Sequence, residues 1–333
     1  MNEYPDAQVY VSPVYLHQIR LGEEKRALRR QSNRAGLCVL AFLILQYVLA
    51  LIIVGVRPLF ALYVQSDTAR GMIEMFNYLV CMFVPFLAGY LTMRPQERDM
   101  LTLFGKPTSK PAAATAILAG FLVCTAANYV TTLLLSLLEN AGVTVDGGTY
   151  NSPTNLVQLF YAVLTIGLLP AFIEEFALRG IVMQPMRRFG DRFAILMSAF
   201  VFALMHGNLT QFAFALAVGI AIGYFVIATG SIWVGIAIHM LNNLYSVFLN
   251  YLLETRPTAA EKFANLELSV TLVGGVVCFA LFMTVCRRNR LKKPDCTLTG
   301  AQKTAAYLLT VPMVISVIWL VVKTVRLISF GGQ

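Results

Sequence analysis

Six polar side chains stand out between Pro170 and Asn243: Glu174, Glu175, Arg179, His206, His239 and Asn243. They lie in the segments P-A-F-I-E-E-F-A-L-R-G, F-A-L-M-H and H-M-L-N-N, set in nearly continuous apolar sequence. Ionisable groups at membrane depth are costly and mark working sites. A carboxylate among apolar side chains is a stronger general base than one in water. Glu174 could therefore take a proton from water while His206 orients or shares it. His239 and Asn243 can donate hydrogen bonds to a developing oxyanion, often a large part of transition-state stabilisation. A second arrangement suits the same side chains: Glu174, His206 and His239 around one zinc ion, with an open position for water. Both arrangements make water the attacker, and both stay open here.

The elements that must position these groups are membrane helices. Of the 333 residues, 58% are hydrophobic and only 13% charged, against about 25% charged in a soluble domain. Apolar runs long enough to cross a bilayer recur. They predict spans near 37–56, 73–93, 112–138, 156–187, 192–208, 211–229, 231–253, 267–286 and 303–326. The fold class is an all-α polytopic transmembrane bundle of eight to nine spans. The expected organisation is a cytoplasmic N-terminal tail (1–36) with a short interfacial helix near Glu23–Arg34, N-terminal transmembrane helices (37–149), a catalytic helix core (150–255) and C-terminal transmembrane helices (256–333). Lys and Arg cluster in the tail, at 94–110, at 187–192 and at 287–293. The positive-inside rule then places the N-terminus in the cytoplasm. The loop 139–153 carries no Lys or Arg and reads as external. A bacterial plasma membrane is the expected setting.

Depth and face bring the polar groups together. Glu174 lies 13 residues before Arg187, and His206 lies 14 after Arg192, so both are about 20 Å from the basic ends of their helices. His239 lies eight residues after Ser231, about 12 Å in. One layer, reached from the cytoplasmic side, can hold all three. Phe202 and His206 share a helix face, as do His239 and Asn243. Adjacent Glu174 and Glu175 point about 100° apart. Glu175 with Arg179 suits an i,i+4 ion pair, which leaves Glu174 to face the histidines. Pro170 lacks an N–H and clashes with the Ile166 carbonyl, which predicts a kink just before the acids. Ala215, Gly219 and Gly223 form a small-residue ladder for close helix contact.

E-E-F-A-L-R, F-A-L-M-H and H-M-L-N-N match the motifs E-E-x-x-x-R, F-x-x-x-H and H-x-x-x-N, in order and on separate spans. Over about 150–255 the chain thereby resembles the CPBP intramembrane proteases, which include CAAX proteases and bacteriocin-processing enzymes and are also called the ABI family. The resemblance implies a helix bundle with endopeptidase activity. By motif position it makes Glu174 and His206 the water-activating pair, with Glu175 close by. His239 and Asn243 become the transition-state stabilisers, while the residues themselves make Arg179, holding Glu175, and Phe202, on the face of His206, structural support. The family is described both as zinc metalloproteases and as metal-free glutamate proteases. The implied substrate is a membrane-anchored protein or peptide, either a prenylated C-terminus or a leader peptide.

The net charge of +9 is topogenic, facing anionic headgroups rather than nucleic acid. The six cysteines show no C-x-x-C spacing and read as small buried hydrophobes. Two other functions compete with proteolysis. Buried Glu and His also serve proton-coupled transporters, although the two halves lack the paired broken segments such transporters show. A non-catalytic membrane adaptor would keep the same groups for packing. His17 reads as inert, Glu74 as interfacial, and Asn77, Asn128, Asn242 and Asn250 as helix-contact polar groups. Asn208 is left without an assigned role.

Overall fold

The structure is a computed structural model that describes residues 12–147, 152–285 and 291–330. Cys286, one of the six cysteines, and Arg287, Arg288 and Arg290 of the 287–293 basic cluster lie outside these residues. The chain is helical almost throughout: α1 (Pro13–Gly55), α2 (Arg57–Gln65), α3 (Asp67–Leu91), α4 (Lys110–Asn140), α5 (Leu156–Phe189), α6 (Asp191–Met205), α7 (Leu209–Thr229), α8 (Ile232–Thr255), α9 (Pro257–Val285), α10 (Gly300–Leu308) and α11 (Val311–Val325). Among the described residues, seven helices are long and apolar enough to cross a membrane, or eight if α10 and α11, bent by 79°, count as one. This is the expected all-α polytopic bundle.

Two elements differ from expectation. The helix expected over 192–208 is α6, 15 residues long. At 1.5 Å per residue it falls short of a roughly 30 Å hydrocarbon core. Most of it is buried, so α6 is an inner rod whose Met205 end stops inside the protein, with His206 as its C-cap residue. Loop 139–153 carries β1 (Val143–Val145), which pairs antiparallel with β2 (Ile328–Phe330). This short clip ties the loop to the C-terminal end, and no alternating pattern announced it.

Residues 13–36 do not form a loose tail either. They continue as helix straight into the first span, and Glu24, Gln31 and Ser32 are buried. Glu24 and Ser32 take their partners from the far end of the chain, while Gln31 Oε1 has no hydrogen-bond partner among the described residues. Glu24 Oε2 accepts from the Thr297 backbone N–H and hydroxyl, both at 2.7 Å, and the Ser32 hydroxyl donates to the Tyr307 carbonyl. A polar helix face can be buried where most of its groups find partners.

Caps set the joints between helices. Ser66, Ser109, Asn155 and Asn208 each accept a backbone N–H at the start of the next helix, which satisfies a donor the helix cannot. Asn208 is therefore the cap that starts α7. Gly230 ends α7 in the left-handed region at φ 72°, as helix C-termini favour. The small-residue ladder of α7 lies against α6: a Cβ on Gly219 would stand 3.1 Å from Ala199 Cβ, and one on Gly223 would stand 3.3 Å from Ile195.

At the basic end of the bundle, Arg34 Nη2 donates to Glu97 Oε2 at 2.6 Å and the Arg94 backbone N–H donates to the same oxygen at 3.0 Å. Burial pushes the Glu97 carboxyl up, but the Arg94 N–H, the Arg34 hydrogen bond and charge, and the Arg30 charge outweigh it and hold it below the usual carboxylate range. Such a group stabilises the fold fully above its unfolded pKa, and that contribution is lost as pH falls through the lowered folded value. Arg34→Met should lower stability at pH 7 by about 1–3 kcal/mol, less than a fully sealed pair because both side chains keep some contact with water. The gap between variant and wild type, followed by thermal unfolding in micelles, should close below about pH 4.

Candidate active site

Helix α5 is the most irregular helix in the bundle, and its irregularities surround the acids. Two stretches, Val163–Leu168 and Glu175–Met183, are wound as π-helix, a form seen mostly as bulges at functional sites. Between them Pro170 supplies no N–H to the Ile166 carbonyl, as expected from sequence. The structure shows what takes its place: Asn243 Nδ2 donates to that oxygen at 2.9 Å. The Asn243 carbonyl in turn accepts from Asn242 Nδ2 at 3.1 Å. Asn243 thus repairs the break in α5 from the neighbouring helix α8.

The two acids sit where α-winding gives way to π-winding. Glu175 is sealed from solvent, as is Arg179, and Arg179 Nη1 lies 2.9 Å from Glu175 Oε1. The same oxygen lies 3.0 Å from His239 Nδ1. The second Arg179 amine donates to the Gly219 carbonyl at 3.2 Å, and the guanidinium covers the Phe202 ring at 4.8 Å. Helix α8 comes so near that a Cβ on Gly235 would stand 3.0 Å from Glu175 Oε2.

Glu174 faces the other edge of the same imidazole, with Oε2 3.7 Å from His239 Nε2. Sequence reasoning assigned Glu175 to Arg179 alone and left Glu174 to the histidines. In the structure His239 lies between both carboxylates. Side chains about 100° apart can share one partner because an imidazole carries nitrogens on opposite edges. Glu174 keeps 17% side-chain exposure and Glu175 keeps none, so Glu174 is the acid that water can reach.

His206 is held differently. Its Nδ1 lies 2.9 Å from the Phe202 carbonyl. A carbonyl only accepts, so this contact assigns the proton to Nδ1 and leaves Nε2 as a bare acceptor. The Phe202 ring meets His206 edge-on at 4.9 Å and His239 at 5.9 Å, so Phe202 spaces the two imidazoles. No direct hydrogen bond or ion pair joins His206 to Glu174 among the described residues. Nor, among those residues, do three or more His, Cys, Asp or Glu side chains group so that they could hold a metal ion. The expected zinc trio of Glu174, His206 and His239 is not assembled in this structure. Glu174 and the Nε2 of His239 face each other, but His206 stands across Phe202.

Tyr78 is the participant that sequence reasoning missed. Its hydroxyl donates to Glu174 Oε1 at 2.9 Å. Tyr78 comes from α3, about a hundred residues upstream, in a segment where one tyrosine among 14 carries no local signal. It also lines a cavity of about 810 Å³ with Asp67, Arg70, Glu74, Asn77 and Ile166. This polar cavity reaches both the Glu174 partner and the carbonyl bound by Asn243. Tyr63, Gln158 and Glu254, also in its lining, belong to the ends of their helices away from Arg94, Arg98 and Arg187. This cavity therefore lies at the end of the bundle opposite the basic face from which access was expected, beside the broken first half of α5.

Asn243→Ala should leave the Ile166 carbonyl without a donor and cost about 1–3 kcal/mol. Asn250→Ala, further along the same helix, should cost less than about 0.5 kcal/mol. Thermal unfolding in the same detergent checks both.

The comparisons follow this geometry. Residues 156–245 match the family described as Rce1-like, type II CAAX prenyl endopeptidase Rce1-like. No curated protein and no solved structure matches the chain. The matched segment contains Glu174, Glu175, Arg179, Phe202, His206, His239 and Asn243, while Tyr78 and the α1 and α11 helices lie outside it. Over residues 156–245, then, the chain is similar to the Rce1-like type II CAAX prenyl endopeptidases, which supports the resemblance to the CPBP intramembrane proteases.

Proposed function

We propose that this protein is an intramembrane endopeptidase in which Glu174 activates the attacking water. The observation that carries the reading is the relay Tyr78–Glu174–His239–Glu175–Arg179, with Glu174 its water-accessible acid beside a polar cavity. Glu174 takes a proton from water, and the bare Nε2 of His206 accepts a second hydrogen bond that aims the nucleophile. His239, flanked by two carboxylates, enters the cycle with a proton on each ring nitrogen, donates from Nε2 to the developing oxyanion and keeps that proton throughout. The second amide N–H of Asn243 is available for the same oxygen. Glu175 and Arg179 hold His239 in place without reaching water. The proton on Glu174 then passes to the leaving amine, which completes hydrolysis.

The substrate class that suits this site is a membrane-associated peptide, either a prenylated C-terminus or a leader-type segment, entering through the polar cavity. The residues favour water activation by a carboxylate, and no step here runs through a metal. The bilayer is the protein's setting, and the charge bias supports a cytoplasmic N-terminus.

Glu174→Gln and His206→Ala should each cut cleavage of a membrane peptide in proteoliposomes by about 10²–10⁴-fold, the usual contribution of a general base, while membrane insertion is unchanged. Full activity in Glu174→Gln would refute the assignment. Tyr78→Phe should lower kcat by about tenfold with KM little changed, since it removes one hydrogen bond to a charged group. Metal analysis together with activity before and after chelation tests the remaining alternative. Activity should survive chelation, and its loss with recovery on adding zinc would restore the metal reading.

A further inference from the structure

A second cavity of about 990 Å³ lies between α1 and α11, on the outside of the bundle. Its walls are apolar along Leu43, Ile315 and Ile318, with Tyr47 and Trp319 beside them, and it ends at Lys323 and Arg326. Both basic residues are exposed, and among the described residues neither forms an ion pair. No acid lines the groove. An apolar trough that ends in two free cations, with a tryptophan and a tyrosine beside it, has the layout of a membrane interface. Aromatic rings of this kind sit at headgroup level, and basic residues there attract anionic lipid by about 1 kcal/mol each.

We infer that this groove binds an anionic phospholipid, with one acyl chain along Ile315, Ile318 and Trp319 and the phosphodiester on Lys323 and Arg326. The charge pattern selects this occupant over a zwitterionic lipid, because nothing in the groove answers a headgroup's positive end. The position gives the lipid a role. The tip of Lys323 packs on Gly207, where a Cβ would stand 3.1 Å from Nζ. Gly207 has φ 64° and follows His206 directly. The groove also shares Gln46 and Asn77 with the polar cavity beside Tyr78. A headgroup on Lys323 therefore rests one residue from the histidine of the site, and an occupied groove closes the lateral face of the bundle beside it.

The chain has two tryptophans, and only Trp319 lines the groove. Trp233 lies elsewhere, donating to the Phe104 carbonyl at 3.2 Å. The Trp233→Phe protein therefore carries its own reporter. It would be reconstituted in phosphatidylcholine vesicles containing brominated phosphatidylglycerol or, as control, brominated phosphatidylcholine, and Trp319 fluorescence would be recorded. The anionic lipid should reach half-maximal quenching at roughly tenfold lower mole fraction than the zwitterionic one, as two interfacial cations allow after partial salt screening. Lys323→Met with Arg326→Met should remove that difference while the zwitterionic curve stays in place. Equal quenching by the two lipids in the parent would overturn the inference and leave the groove to a substrate's own apolar segment. A preference that survives the double substitution would overturn it as well.

Discussion

A guanidinium and a carboxylate sealed together inside a membrane protein set the terms for everything around them. Glu175 and Arg179 are wholly buried and 2.9 Å apart. Taking two charges out of water costs several kcal/mol per ion, repaid only where geometry and further hydrogen bonds are good. The surroundings repay part of it, while Glu175 Oε2 and Arg179 Nε and Nη1 keep no hydrogen-bond partner among the described residues. Gly219 exposes its carbonyl to one Arg179 amine, the Phe202 ring lies under the guanidinium, and His239 brings a third polar group to the shared oxygen. The small residues of α7 and Gly235 of α8 let backbones come close enough for this to happen. A larger side chain at either place would separate the charges from their partners.

The same pressure explains the broken course of α5. In lipid every backbone polar group needs a partner, and a proline inside a spanning helix removes one. Pro170 leaves the Ile166 carbonyl open, and the chain answers with Asn243 from a different helix. The π-wound turns on either side give α5 an irregular winding just where two adjacent carboxylates must meet one imidazole. The defect in the helix and the site it carries are one feature. A regular helix would seal this part of the membrane, whereas the irregular one borders a polar cavity that reaches the neighbours of Glu174 and Asn243.

Support for the site also comes from outside the matched segment. Tyr78 on α3 holds the free oxygen of Glu174, and α11 brings Lys323 against Gly207. The polar half of α1 is tied to the C-terminal region through Glu24 and Ser32. The N- and C-terminal helices thus enclose the core and supply single groups to its edges.

The sequence by itself determined the class of the molecule and picked out most of the polar groups that the helices bring together. Long apolar runs admit only membrane helices, and polar residues confined within such runs can only be there for one another or for water. E-E-x-x-x-R, F-x-x-x-H and H-x-x-x-N are spaced by helix geometry, so the faces they share were legible before any fold was known, and so were the Glu175–Arg179 pair and the break at Pro170. Tertiary structure alone decided which acid meets which histidine edge, that Asn243 closes the break, that Tyr78 joins from a distant helix, and that the polar cavity opens away from the basic end. It also made the expected tail from Pro13 on a continuation of the first helix, buried on one face from Glu24, and shortened α6 to an inner rod. Sequence periodicity fixes directions around a single helix axis. Contacts between helices depend on how far each axis bends and how close two backbones can come, and a π-turn, a proline or a glycine changes both without altering the pattern.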